Sequence, residues 1–391
     1  MRKSESAFPS TLSRADTSPI RLSSIETFAL EAPVERPVRN SFRTLTSRSA
    51  LFVRVTDADG ACGWGEVWCN FPPNAARHRA NLIEHVAAPM IVGREFDAPE
   101  QVFQSLEQQL RVPAITSGEP GPFAQITAGI DVAIWDLVAR RAGEPLWRLF
   151  GGQRTLNVYA SGVSPDGAGE LVARAVLNGH RAAKLKVGFG SELDRRNLEA
   201  MRAALGGDGK LMVDANQKWN VREALDAIRT FAEYKLEWVE EPIPADEPLS
   251  QWQALAQASP IALAAGENLR NRTTFEQYIE CNVVRFLQPD IGKWGGFTEC
   301  LPLGRKAVAA GLDFCPHWLG GGVGLLASLH LLGAVGGNGW GEVDANMNAL
   351  QQQFLPEGFV VEEGRVTLSD APGLGYEPDA MLLKAFRVKI Q

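Results

Sequence analysis

Between residues 156 and 344 short apolar runs recur at a nearly fixed interval, and each from the second onward carries an ionisable side chain at or near its end. The runs are 156–163, 182–187, 210–214, 236–240, 261–267, 284–290, 312–317 and 339–344. Each is long enough for a buried strand and is bounded by turn residues. Helix starts lie between them: Asn220 with Glu223 makes a capping-box pair ahead of Leu225, Ile228 and Phe231. Eight strands with helical crossovers predict a (β/α)8-type barrel; an open doubly wound sheet is the rival. The ionisable positions are Lys184 and Lys186, then Asp214, Glu240, Glu267, Asp290, His317 and Glu342, the last six spaced 23 to 27 residues apart. That interval is one strand-plus-helix unit, so these groups share the C-terminal face of the barrel, where barrel enzymes place their chemistry. Solvated loop charges scattered at random would not land on seven consecutive strand ends.

Lys184 and Lys186 sit at i and i+2, so on a strand both ammonium groups point to one face. Alone they fit either a half-exposed edge with snorkelling stems or two amines aimed into a site. The acids favour the site. Asp214, Glu240 and Glu267 on adjacent strands would be three converging carboxylates, which need a cation to stay ionised together. Oxygen-only ligands suit Mg²⁺; no cysteine or second histidine is near in sequence to suggest Zn²⁺. Strand alternation turns Glu241 away and leaves Glu240 as the ligand.

The chain has 391 residues, enough for a barrel and a smaller domain. Residues 21–70 read as strands, with Asp57-Ala58-Asp59-Gly60 as a hairpin turn. Residues 75–111 read as helices, and 123–142 as a strong helix with Ile126, Ile130, Ile134 and Leu137 on one stripe. The expected organisation is a disordered tail over 1–20, an α+β capping domain over 21–150 joined by a C-terminal segment 361–391, and the barrel over 151–360. A net charge of −7 disfavours nucleic acid and anionic lipid as partners. No apolar run reaches the roughly 20 residues of a membrane helix. Cys62, Cys69, Cys281, Cys300 and Cys315 are scattered without metal spacing, which fits a reducing cytoplasm.

Lys184-x-Lys186, Val213-Asp214-Ala215-Asn216, Val239-Glu240-Glu241-Pro242, Gly266-Glu267-Asn268, Gln288-Pro289-Asp290 and Pro316-His317, in this order, resemble the enolase superfamily, in its mandelate racemase and muconate lactonizing enzyme branch. The resemblance runs from about residue 21 to the end and includes Gly63-Trp64-Gly65-Glu66 and Pro372-Gly373-Leu374-Gly375. It implies a modified (β/α)7β barrel under an α+β cap, Mg²⁺ on Asp214, Glu240 and Glu267, and abstraction of the proton α to a carboxylate. A Lys or His base with metal stabilisation of the enolate is that superfamily's known scheme. Lys184 would then lie against the substrate carboxylate and depress the pKa of Lys186, the base. His317, oriented by Asp290, would be the second acid or base. Glu342 would be a protonated acid that hydrogen-bonds the developing enolate. Asn216 and Asn268 can support the metal shell or be ordinary turn residues. Trp318 and the glycines after it open a helix whose N–H groups can receive an anion.

Specificity in the family resides largely in two cap loops, expected here near 38–46 and 68–74. They offer Arg39, Asn40 and Arg43, and Trp68, Asn70 and Phe71, suited to a polar or second anionic group and a compact, partly apolar body. A base on each face permits dehydration of an acid sugar to a 2-keto-3-deoxy acid, which is favoured, or racemisation or epimerisation of a 2-hydroxy acid, or cycloisomerisation. A non-catalytic binding barrel and Schiff-base chemistry at Lys186 are readings of other classes. The partners expected are a small carboxylate substrate and further copies of the chain, from dimer to octamer.

Overall fold

A computed structural model of the chain describes residues 18–388. The tail expected over residues 1–20 lies outside this range except for its last three residues. Of these, Ile20 is buried and exchanges two backbone hydrogen bonds with Phe96, so it belongs to the fold and not to a disordered tail. β1 (Leu22–Arg39), β2 (Thr44–Asp57) and β3 (Cys62–Val67) form an antiparallel sheet in that order. Gly60 takes the positive φ that the tight β2–β3 turn requires. The helices Ala75–Leu82, Ala88–Ile91 and Pro99–Ser117 follow, and then Pro120–Arg141. This last helix lies on β3 so closely that a Cβ on Gly65 would stand 2.2 Å from the Gly129 carbonyl oxygen. By length and composition it could cross a membrane; 83% of its apolar window is buried within the protein. Its stripe of Ile126, Ile130, Ile134 and Leu137 is wholly buried, together with Leu51, Val53 and Val55 of the sheet.

The barrel strands are β4 (Thr155–Val163), β5 (Ala182–Lys186), β6 (Lys210–Asp214), β7 (Val239–Glu240), β8 (Leu263–Ala265), β9 (Phe286–Leu287), β10 (Asp313–Phe314) and β11 (Trp340–Asp344). All pair in parallel, in the order β10-β9-β8-β7-β6-β5-β4-β11. Seven helices alternate with the eight strands, giving a (β/α)7β barrel under an α+β cap. Between β10 and β11 the described residues form no ladder; the Trp340 N–H reaches the Cys315 sulfur instead, at 3.3 Å. Several strands are shorter than their apolar runs. Proline at 289 and 316 cannot donate to a ladder, and Glu241 and Gly266 adopt φ of 38° and 152°.

The floor of the barrel explains where the charged residues stand. Tyr159, Ala182, Met212, Trp238, Ala264, Phe286 and Cys315 fill one buried layer. Two residues further along each strand, on the same inward face, come Ser161, Lys184, Asp214 and Glu240. The site is the next layer up, raised on an apolar base.

The C-terminal segment divides. β12 (Arg365–Thr367) adds antiparallel to β4, so residues 365–367 belong to the barrel sheet, against the expectation that 361–391 joins the cap. Pairing decides this: β5 pairs with β4 only from Ala160 onward, which leaves residues 155–157 of β4 an open edge opposite β11, and the Glu362–Arg365 turn delivers the chain to it. The stretch after β12 reaches the cap: the Leu374 N–H bonds to Asp136 Oδ1 and Arg140 donates to the Tyr376 carbonyl, both at 2.6 Å, and beyond the helix Ala380–Phe386 the Val388 N–H bonds to the Ala29 carbonyl at 2.9 Å.

Candidate active site

Both lysines of β5 are buried, Lys184 at 1% and Lys186 at 6% exposure, which removes the edge-strand reading. Lys184 Nζ donates to both oxygens of Glu240 at 2.6 Å and lies 2.9 Å from Glu342 Oε1. Lys186 Nζ donates to Asp214 Oδ2 at 2.5 Å. This corrects the expected depression of the Lys186 pKa. Burial does push its ammonium down and Lys184 adds to that, but the adjacent Asp214 carboxylate outweighs both and holds it above the ordinary lysine value. Lys184 is raised further: burial again lowers it, and Glu240 and Glu342 more than compensate.

His317 stands at the end of β10, bridged to Asp290 by a parallel backbone pair. Its Nδ1 is 2.7 Å from Asp290 Oδ2, and its Nε2 is 2.5 Å from Glu267 Oε2 and 3.7 Å from Glu342 Oε2. Asp290 is itself fixed, because its Oδ1 accepts from the backbone N–H groups of Gly292 and Lys293. Burial works against a charged imidazole, but Glu267 and Glu342 raise His317 well above its usual value, so it stands as an imidazolium.

Glu342 reverses the second expectation. It is wholly buried, which alone would raise it toward the protonated form, yet Lys184 and His317 lower it below the ordinary carboxylate value. It also accepts from Ser161 Oγ and, at 2.9 Å, from the Trp318 N–H. In this arrangement Glu342 is an anion that anchors Lys184, not a hydrogen-bond donor.

A cavity of about 350 Å³ opens onto this cluster beneath the cap. Lys186, Glu267, Asn216 and His317 line it from the barrel, and Asn40, Arg43, Trp68 and Asn70 from the two cap loops. The loops are tied together and to the barrel: Arg43 Nη1 donates to the Asn70 carbonyl at 2.6 Å, and the Asn70 side chain donates to the Leu319 carbonyl. Two of the expected cavity residues do not line it. Arg39 turns outward to Asp166, 3.5 Å away, with Phe189 beneath its guanidinium. Trp318 is buried, its indole N–H bonded to the Gly321 carbonyl; a Cβ on Gly324 would stand 1.9 Å from its ring.

Residues 168–382 match the family model described as enolase C-terminal domain-like, and residues 24–151 match the mandelate racemase / muconate lactonizing enzyme N-terminal domain. The chain belongs to the enolase superfamily, in its mandelate racemase and muconate lactonizing enzyme branch. A D-galactarolactone cycloisomerase of Agrobacterium fabrum is 30% identical over 388 residues, covering 94% of this chain and 99% of that protein. The crystal structure of a mandelate racemase/muconate lactonizing enzyme from Bordetella bronchiseptica RB50 is 46% identical, with a TM-score of 0.89 over 94% of this chain and 99% of that one. An L-talarate/galactarate dehydratase variant, crystallised with Mg and L-glucarate, is 25% identical, with a TM-score of 0.82 over 100% of this chain and 96% of that one. Like its relatives in the superfamily, this chain is an enzyme of the lyase or isomerase type.

Among the described residues no three carboxylates are disposed as the ligands of one ion. Asp214 is turned onto Lys186, Glu240 onto Lys184 and Glu267 onto His317, the charge pairing that a low-dielectric interior enforces. The donor set nevertheless suits the superfamily's Mg²⁺. Six carboxylates (Asp214, Glu240, Glu241, Glu267, Asp290 and Glu342) meet three ammonium groups and one imidazole (Lys184, Lys186, Lys293 and His317). Burial, with other acids nearby, raises Glu240 to about 7 and Glu241 well above the ordinary carboxylate value, a crowding that a divalent cation would relieve. Asn216 Oδ1 and Glu241 Oε1 are buried oxygens without a hydrogen-bond partner.

Three participants escaped the sequence reading. Glu241 does not turn away from the site, because its φ of 38° breaks the strand alternation. Its Oε2 accepts from Asn268 Nδ2 at 2.7 Å, and the same amide donates to Glu267 at 2.9 Å. Lys293 lies 3.7 Å from Glu267 Oε2 and 4.5 Å from the centre of the Trp68 ring, joining a cap loop to the barrel mouth. Glu66, from β3, reaches across the domain boundary. Its carboxylate accepts from the Gly321 N–H at 2.6 Å and the Gly324 N–H at 2.8 Å. The acceptor at the helix N-terminus beyond His317 is therefore the protein's own carboxyl group. Its place after Gly63-Trp64-Gly65 was the signal that could have found it.

Proposed function

We propose that this enzyme is an acid-sugar dehydratase, removing the proton α to a carboxylate and expelling the β-hydroxyl to give a 2-keto-3-deoxy acid. The observation that carries this reading is that Lys186 and His317, each held by a different carboxylate, line one cavity. A base and an acid on separate supports can act on two carbons of one bound substrate.

Asp214, Glu240 and Glu267 would hold Mg²⁺, which when bound supplies Lewis-acid stabilisation of the enolate and draws the charge of Asp214 off Lys186. Lys184, charged and buried against Glu240 and Glu342, would lie beside the same substrate carboxylate. Lys186 takes the Cα proton. The electron pair left behind forms the Cα–Cβ double bond as the Cβ–O bond breaks. His317 gives its Nε2 proton to the departing oxygen, which leaves as water, and the enol tautomerises to the keto acid. Asp290 keeps the imidazole oriented with Nε2 toward the cavity. The Trp68 and Phe71 loop, tied to Leu319 through Asn70, keeps bulk water from the enolate.

A panel of acid sugars with Mg²⁺, read by semicarbazide trapping of 2-keto products, tests the proposal. Deuterium incorporation at Cα from solvent without keto product would replace dehydration by racemisation or epimerisation. The 30% identity to a galactarolactone cycloisomerase supports a second reading, so the panel includes aldarolactones; their opening without keto acid would establish it.

A further inference from the structure

We propose that Arg43 binds a second carboxylate of the substrate, so that the acid sugar is a dicarboxylate (an aldaric acid) rather than a monocarboxylate; this deepens the acid-sugar reading and rests on it. The other cations lining the cavity already have anions. Lys186 is on Asp214, His317 on Asp290 and Glu267, Lys293 is 3.7 Å from Glu267, and Arg48 is on Asp344. Arg43 pairs with no carboxylate among the described residues. Its guanidinium donates from Nη1 to the Asn70 carbonyl, and its Nε is buried without a partner. The guanidinium packs 5.3 Å from the centre of the Phe71 ring and 6.0 Å from that of Phe42, and all three side chains line the cavity. Burial, with Arg48 nearby, pushes it down to about 10, the cost of desolvating a cation that has no counter-charge. A guanidinium with one nitrogen anchored and no anion of its own retains donors that suit a carboxylate. Lys186 and His317 act at the reacting end of the same cavity, so a linear substrate carrying a carboxylate at each terminus satisfies both ends.

The test compares matched aldarate and aldonate pairs, glucarate with gluconate and galactarate with galactonate, on the Mg²⁺-loaded wild type and on Arg43→Gln and Arg43→Lys. The wild type should favour the diacid in kcat/KM by about 10- to 100-fold, the range of a charge-assisted hydrogen-bond pair. Arg43→Gln should bring that ratio near one, mainly through KM, and Arg43→Lys should restore part of it. A wild type indifferent to the second carboxylate, or a Gln variant that keeps the wild-type ratio, overturns the proposal. If no pair is turned over, calorimetric titration with the same four acids decides. Tighter diacid binding that depends on Arg43 upholds the anion site while the dehydratase reading falls. Equal binding of diacid and monoacid, or none of either, overturns the site as well.

Discussion

Asp290 Oδ2 lies 2.7 Å from His317 Nδ1, and the other oxygen of the same carboxylate is pinned by two backbone N–H groups. The pair is thus oriented from outside the cavity, before any substrate arrives. Asp290→Asn keeps the shape but removes the charge and presents a donor where His317 needs an acceptor. Steady-state kinetics should show kcat lowered by roughly two to four orders of magnitude, with KM little changed. A loss confined to KM would remove Asp290 from that role.

Glu66 should behave as a clasp between cap and barrel. Burial pushes its carboxyl up to about 8, against the two glycine N–H bonds, so a neutral side chain of the same shape is tolerated. In chemical denaturation, Glu66→Gln should cost within about 1 kcal/mol and Glu66→Ala about 2–4 kcal/mol, since the alanine orphans two buried N–H groups and leaves a void.

His180 and His330 are buried with pKa lowered to about 4 from 6.5, by burial in both cases; at His330 the Leu374 carbonyl opposes the shift weakly. His330 Nδ1 accepts from the Trp147 N–H at 3.0 Å, which requires the neutral ring. Below pH 6.5 the unfolded chain takes up these protons first, so stability falls as the pH drops from 6.5 to 4. Each histidine contributes at most about 1.4 kcal/mol per pH unit. Melting temperatures recorded across that window should slope downward toward acid, and His180→Gln should make the slope shallower.

Removing divalent metal with a chelator should abolish turnover yet leave the far-ultraviolet circular dichroism of the fold, because Lys184, Lys186 and His317 can neutralise the carboxylates themselves. Restoring Mg²⁺ at a hundredfold excess over its dissociation constant should add about 2.7 kcal/mol of stability. Scanning calorimetry with and without Mg²⁺ measures this directly.

What the sequence made legible follows from periodicity. The interval between ionisable strand ends is a property of a repeating unit, so it locates Lys184, Lys186, Asp214, Glu240, Glu267, Asp290, His317 and Glu342 on one face without any knowledge of packing. Properties set by the nearest neighbour were not legible. Lys186 sits between Lys184, which depresses it, and Asp214, which raises it; only coordinates reveal that Asp214 is the closer. The family resemblance implied a protonated Glu342, but in the folded chain Lys184 lies 2.9 Å from it. Arg39 and Arg43 are indistinguishable in a loop of unknown course, yet one pairs outward with Asp166 and the other lines the cavity. Glu241 escaped because a single positive φ defeats strand alternation.

The division of labour between Lys186 and His317 is tested most directly by proton exchange at the substrate's α-carbon, followed by NMR in D₂O with Mg²⁺ and an acid sugar that is turned over. The wild type should form keto acid. His317→Asn should still exchange the Cα proton with solvent deuterium, without forming product, because Lys186 remains. Lys186→Met should do neither, with rates down by at least about 10³. Exchange that persists in Lys186→Met at the wild-type rate would contradict the assignment of Lys186 as the base.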